Sequence, residues 1–207
     1  YKSGKKAFDL SDVCHGLNLQ MLIYLFALEQ EGRKVFGQEI VPAGVLYLPA
    51  RDVLVSKPRA VEPEALRAAL DKELRRSGLV LSQPEVLRAM EHGALEEPRF
   101  LPLAVGRGGG ITGGLATAEE LGKLGRLVNG MLETIAGELR GGVIDADPCY
   151  VSESDNACTY CEFASACHFT EGEGGDRRKP LRPVKPEEFW GRIDMLIGGE
   201  GTPWASN

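Results

Sequence analysis

The strongest periodicity in the chain lies between Thr117 and Arg140, where Leu121, Leu124, Val128, Met131, Leu132, Ile135 and Leu139 recur at three- and four-residue intervals. Such spacing predicts a long amphipathic helix with one core face, stopped by Gly141-Gly142. A second helical pattern starts after the capping residues of Asp9-Leu10-Ser11-Asp12. It predicts one helix from about Ser11 to Gln30, ending near Gly32, with Leu17, Met21, Leu25 and Leu28 facing the core. Gln20 and Tyr24 fall one turn apart on that helix. Val41 to Val55 is rich in β-branched and aromatic residues around Pro49-Ala50-Arg51-Asp52, which predicts a β-hairpin. Pro63 to Ser77 reads as a charged helix opened by Pro and stopped at Gly78, and Gln83 to His92 as a short one. Pro186 to Leu196 predicts a last helix, and the tail from Gly198 to Asn207 is expected to fray.

The segments between these patterns differ in kind. Gly106 to Gly114 holds six glycines in nine positions and reads as a mobile loop. It lacks the Gly-Lys-Ser/Thr ending of a phosphate-binding loop, so it carries no nucleotide role. Residues 143 to 170 contain four of the five cysteines, and Thr170 to Pro186 reads as a linker rich in Gly, Pro and Arg. No internal repeat of fixed period is present. The expected organisation is therefore a main unit over 1–142, a cysteine segment over 143–170, and a linker and tail over 171–207.

Composition narrows the class. With 207 residues, 43% hydrophobic and 26% charged, the chain can build an ordinary globular core. Its longest apolar run, Met21 to Leu28, is far below the roughly 20 residues that span a bilayer, which excludes a transmembrane helix. No secretory leader is legible, and the expectation is a cytoplasmic protein without a membrane partner. The net charge of −6 argues against coating nucleic acid by bulk charge, though not against a local groove. The opening Tyr1-Lys2-Ser3-Gly4-Lys5-Lys6 has neither Met nor cap and reads as an internal point of a longer polypeptide.

Cys158-x2-Cys161-x5-Cys167 is the sharpest chemical signal. The short gap brings two thiolates to one metal centre, and the longer one returns a third across a turn. Buried thiols or a disulfide pair are the plain alternative, less favoured in an intracellular chain. The spacing leaves the metal open. Zinc would take Cys149 or His168 as fourth ligand, whereas an iron–sulfur cluster would take Cys149 or a cysteine from upstream. Cys14, beside His15, reads as a small core filler.

Several blocks together carry a resemblance. These are Tyr1-Lys2-Ser3-Gly4, Phe8-Asp9-Leu10, Gly16 to Leu25 with its Gln20-x3-Tyr24, and Pro42-Ala43-Gly44-Val45-Leu46-Tyr47. Ala157-Cys158-Thr159-Tyr160-Cys161-Glu162-Phe163 and Cys167-His168-Phe169 complete them. In order and approximate spacing they resemble the C-terminal nuclease domain of the AddB family, which belongs to the ATP-dependent helicase/deoxyribonucleases. The Gln-x3-Tyr block is shared by the wider RecB-like nucleases. The Pro-Ala-Gly strand and the distance to the cysteines favour AddB over short relatives such as Cas4.

The resemblance implies an α/β fold: a PD-(D/E)xK, restriction-endonuclease-like core, here N-terminally truncated, with a C-terminal iron–sulfur segment. It implies Mg²⁺-dependent hydrolysis of DNA phosphodiesters, as a 5′–3′ exonuclease acting on double- and single-stranded ends in break repair beside a partner subunit, AddA. Lys2 matches the family's catalytic lysine, and Gln20 the residue that steadies the site. Tyr24 matches the one that meets the DNA strand, and the Tyr1 backbone carbonyl an oxygen ligand of Mg²⁺. Cys158, Cys161 and Cys167 match three ligands of a [4Fe–4S] cluster. The two acidic metal ligands, one immediately before Tyr1, and the fourth cluster cysteine are expected upstream. Two other readings compete: a catalytically degenerate DNA-end clamp pinned by the cluster, and a small zinc-binding interaction module.

Overall fold

The computed structural model describes residues 7–50, 53–56, 58 and 60–198. Helix α1 (Leu10–Cys14) is capped by Asp9, whose carboxylate accepts the Ser11 N–H at 2.8 Å. The chain then turns through Gly16 and Asn18, both at positive φ, before α2 (Gln20–Phe36). The single helix expected over Ser11 to Gln30 is thus two, because Gly16 and Asn18 adopt the left-handed conformation that breaks a helix. The core face shifts accordingly: Leu19, Leu22 and Phe26 are buried, while Leu17 and Leu28 are exposed. Helix α2 also passes Gly32, where the Ile40 side chain packs against the bare backbone, and stops at Gly37 in the left-handed region.

Strand β1 (Gly44–Tyr47) does not form the expected hairpin with the residues after Pro49. Residues 53–56 carry no strand, and Arg51 and Asp52 lie outside the described residues. β1 instead pairs antiparallel with β2 (Ser77–Leu81), which follows α3 (Pro63–Leu74). The helix expected to reach Ser77 stops at Leu74 because the next apolar residues enter this sheet. Gly44 faces the Leu79 carbonyl and Gly78 the Val45 carbonyl so closely that a Cβ at either would collide with backbone. Both also hold positive φ, at 134° and 156°. The Pro-Ala-Gly block therefore has a physical reason: only glycine permits this strand approach.

Helix α4 (Pro84–Met90) matches expectation, with Pro at its start. The glycine-rich segment does not form a plain loop. It closes a hairpin of β3 (Leu103–Val105) and β4 (Ile111–Gly113), paired from Leu103↔Gly113 to Val105↔Ile111. Strand β5 (Leu115–Ala116) then joins β2 in parallel, giving the order β1-β2-β5. The Glu91 carboxylate accepts the N–H groups of Arg99, Phe100 and Leu101, at 2.6 to 3.2 Å, and pins the loop before β3.

Helix α5 (Ala118–Gly141) begins with a capping box: Thr117 and Glu120 exchange bonds of 2.7 and 3.1 Å. Its first half buries Leu121, Leu124, Leu127, Val128 and Met131, whereas Leu132, Ile135 and Leu139 are exposed. Beyond α5 a small sheet of order β7-β6-β8 is built from β6 (Cys149–Ser152), β7 (Asp155–Asn156) and β8 (Lys179–Pro180). β8 lies within the expected linker. Helix α6 (Ala164–Cys167) carries the third cysteine of the motif. Helix α7 (Pro186–Ile197) packs on α1 and α5, with Phe189 and Ile193 fully buried. The architecture is α/β, with helices α2, α5 and α7 sharing one core with the central sheet. A second cluster of Val80, Leu87, Ala94, Leu101 and Leu103 lies beside it.

Two glycine substitutions separate these roles. Gly44→Ala is expected to lower unfolding stability by about 2 kcal/mol or more, since strain at positive φ and a backbone collision both oppose it. Gly130→Ala, in an open stretch of α5 with nothing near the added methyl, is expected to raise stability by about 0.5–1 kcal/mol. Urea unfolding of the two variants measures both signs.

Candidate functional site

Helix α2 owes its orientation to the turn before it. Asp12 accepts the Asn18 amide N–H at 2.5 Å, and its own carbonyl accepts the N–H groups of His15 and Leu17 at 3.0 and 2.8 Å. This turn delivers Leu19 into the core and starts α2 at Gln20. Leu22 and Phe26 continue the buried face, so Gln20 and Tyr24 stand on the exposed one. There the Gln20 amide Nε2–H donates to the Tyr24 hydroxyl at 2.9 Å, which makes the two residues one polar unit. That pair, expected from the sequence, is brought together. Lys2 and Tyr1 lie outside the described residues. The chain that follows them is anchored at Phe8, whose N–H donates to Ser77 Oγ at 3.1 Å and whose ring lies 6.5 Å from that of Tyr47. Burial pushes the Tyr47 phenol up from its ordinary range.

The cysteine motif sits on the small sheet's loop. Asn156 Oδ1 accepts the Cys158 N–H at 2.9 Å, and its amide donates to the carbonyls of Ser152 and Glu153 at 3.0 Å each. The Cys161 N–H turns back onto the Cys158 carbonyl at 3.2 Å, and Cys167 ends the single turn of α6. Cys158, Cys161 and Cys167 are exposed, and none forms a disulfide. Among the described residues no three His, Cys, Asp or Glu side chains gather closely enough to hold a metal ion. In chemistry the donors do fit a thiolate-bound group: three unpaired thiols stand on one short segment, and no residue from 132 to 188 is buried. Such a segment has no hydrophobic core of its own to fix it.

Sequence reasoning missed the strap that holds this segment. Residues 177–184 pass through β8 of the small sheet and then run back along α1. The His15 Nε2–H donates to the Arg182 carbonyl at 2.8 Å, and the Val184 N–H donates to Ser11 Oγ at 2.9 Å. Arg178 lies over the Tyr150 ring at 4.6 Å and pairs with Glu153 and Glu171, at 3.3 and 3.2 Å. Arg177 pairs with Asp147 at 3.1 Å. The arginines of the segment read as a linker over Thr170 to Pro186 were visible, but only the fold shows what they grip. Between α1 and the small sheet opens a cleft of about 460 Å³, with His15, Arg182, Asp155 and Cys149 among its walls. No described helix is long and apolar enough to cross a membrane.

Comparison with known proteins bears on both regions. The sequence pattern of the PD-(D/E)XK nuclease superfamily matches residues 1–168. The AddB protein of the ATP-dependent helicase/deoxyribonuclease of Thermoanaerobacter sp. (strain X514) is 32% identical over 204 residues, 97% of this chain and 18% of that protein. Its counterpart from Clostridium botulinum (strain Hall / ATCC 3502 / NCTC 13319 / Type A) is 34% identical over 200 residues, 95% of this chain and 17% of the relative. That from Desulforudis audaxviator (strain MP104C) is 33% identical over 192 residues, 92% and 16% respectively. The chain thus spans less than a fifth of the length of these relatives.

Cys14 behaves as the core filler its position suggested: it is 3% exposed, and burial pushes its thiol up to about 11. Unfolding restores the ordinary value of 9.0, so the unfolded chain loses this proton at lower pH than the folded one. The thiol's contribution to stability is therefore complete below pH 9 and falls away as pH rises toward 11. Denaturation midpoints between pH 8 and pH 11 should decline more steeply in the wild type than in Cys14→Ala. Alkylation with iodoacetamide at pH 8 should label Cys158, Cys161 and Cys167 and spare Cys14.

Proposed function

The chain belongs to the PD-(D/E)XK nuclease superfamily, and on that footing we propose that it is the nuclease portion of a longer helicase–nuclease protein. That protein hydrolyses DNA at double-strand ends and works beside a partner of the AddA type. The observation that carries this reading is the superfamily match over residues 1–168, with the bonded Gln20–Tyr24 pair at the head of α2. The relatives, named for helicase and deoxyribonuclease activity, support it over 92–97% of this chain.

In this reaction Lys2 presents its ammonium to the attacking water and orients it toward the phosphorus. Gln20 steadies that arrangement through its amide, which the Tyr24 hydroxyl holds in place from the next turn. Tyr24, half exposed, offers its ring to the DNA strand. The Tyr1 carbonyl would serve as a main-chain ligand of Mg²⁺ beside acidic side chains. When bound, Mg²⁺ lowers the pKa of a coordinated water and offsets the charge that builds on the phosphate.

Cys158, Cys161 and Cys167 would hold a [4Fe–4S] cluster together with a cysteine from the upstream polypeptide. Its contribution would be mechanical, since several thiolate bonds would cross-link loops that have no core. This is supported by the unpaired, exposed state of all three thiols and the absence of buried residues around them.

In the full-length parent, Lys2→Ala is expected to reduce cleavage by at least 10²-fold at saturating Mg²⁺ while leaving DNA binding and iron content unchanged. Wild-type cleavage by that variant would refute the assignment. Gln20→Ala should lower the cleavage rate more than affinity, and Tyr24→Ala should weaken binding of single-stranded ends. Replacing Cys158, Cys161 or Cys167 by Ala should remove iron, measured by metal analysis, whereas Cys149→Ala should retain it. Zinc in place of iron in the anaerobically purified parent would contradict the cluster.

A further inference from the structure

Cys149 has no part in the cluster assigned above, yet it is not remote from it. It opens β6, and the Ala157 N–H donates to its carbonyl at 2.9 Å, so β6 and β7 lie side by side at this point. The register Tyr150↔Asn156 sets Cys149 opposite Ala157, one residue short of Cys158. A cavity of about 60 Å³ lies there, lined by Cys149 and Cys158, with Tyr150, Phe169 and Arg178 among its other walls. Neither Cys161 nor Cys167 lines it. Cys149 also lines the larger cleft beside α1, so its surroundings are open to small solutes. Two free thiols therefore line one small cavity, Cys149 at the start of β6 and Cys158 in the turn just after β7.

We propose that Cys149 and Cys158 form a reversible disulfide when the chain has no metal, a modification site that withdraws one cluster ligand from use. The oxidant is a small-molecule disulfide such as oxidised glutathione. The exposed Cys158 thiol attacks it, forming a mixed disulfide and releasing one small thiol. The Cys149 sulfur then attacks Cys158 Sγ, the protein S–S bond forms, and the second small thiol leaves. Two protein thiols lose two electrons and two protons, and both pass to the two small thiols released. The consequence for iron rests on the cluster reading, because only there is Cys158 a ligand; the disulfide itself does not depend on it.

The Tyr150–Arg178 stack and the Asn156 bonds hold both walls of the cavity, so the pair should close without unfolding the sheet. The competing product is a bond within Cys158-x2-Cys161, which the turn from Cys161 N–H to the Cys158 carbonyl also brings near. The two differ in what each cysteine lines: Cys149 and Cys158 line a common cavity, and Cys161 is not among its walls.

The test incubates the full chain, prepared without metal, with oxidised glutathione, blocks remaining thiols with N-ethylmaleimide, and maps peptides without reduction. The expected result is a Cys149–Cys158 cross-link at least tenfold more abundant than Cys158–Cys161, reversed by dithiothreitol and absent in Cys149→Ser. A dominant Cys158–Cys161 bond, or mixed disulfides alone, would overturn the proposal. A second arm treats the full-length parent in the same way and then offers iron and sulfide. Wild type should take up iron only after dithiothreitol, with the block at least fivefold weaker in Cys149→Ser. Cross-linking with no iron uptake by the reduced wild type would sink the cluster reading and leave the disulfide standing. Iron uptake without the cross-link would sink the disulfide alone.

Discussion

A stretch from residue 132 to 188 without one buried residue must be held by something other than hydrophobic burial. The described structure supplies part of the answer. The small sheet β7-β6-β8 ties Cys149–Ser152 to Lys179–Pro180, and the ion pairs Arg177–Asp147 and Arg178–Glu153 close its edges. These surface pairs contribute little individually, about 0–1 kcal/mol each. The strap over residues 177–184 then hands the segment to α1 through Ser11 and His15. A cross-link through three thiolates would supply the cohesion that burial does not, which is why the cysteines and the absence of a core belong to one account.

The other half of the molecule depends on conventional packing. Leu22, Phe26, Leu124, Val128, Phe189 and Ile193 form one continuous core beneath the sheet. That core sets the rotation of α2 and hence the outward pair Gln20–Tyr24. Phe189 and Ile193 come from α7, so the chain's last described helix helps position a pair near its first. The strap runs directly into α7, with Val184 bonded to Ser11. The cysteine segment and the α2 pair are therefore joined through α1, by hydrogen bonds at one end and by the core at the other. Disorder in one is expected to reach the other along this path.

What the sequence made legible was local. Helix α5 could be read because a strong apolar period coincides with a Thr117–Glu120 capping box, and α4 and α7 because each opens on proline. The Cys158, Cys161 and Cys167 motif and the Gln20–Tyr24 spacing were legible because their chemistry depends on short intervals. What stayed hidden was set by tertiary pairing. β1 finds its partner at Ser77–Leu81, on the far side of α3, and no local pattern announces that choice. The turn at Gly16 and Asn18 was hidden because Leu17, Met21, Leu25 and Leu28 keep helical spacing through it. Leu132, Ile135 and Leu139 keep helical period yet remain exposed, because periodicity shows which residues share a face and not whether anything covers it. Cys149 gained its meaning only from the cavity it shares with Cys158.

Amide hydrogen exchange on the full-length protein, purified anaerobically with the proposed cluster retained and again after chelation, tests most directly whether the coreless segment is held by its cysteines. Removing iron should speed exchange at the Cys161 and Cys167 amides at least tenfold and, through the strap, at the Val184 amide bonded to Ser11. The first half of α5, from Leu121 to Met131, should keep its protection because the core there contains none of Cys158, Cys161 and Cys167. Unchanged exchange across 149–184 after iron removal would contradict the account.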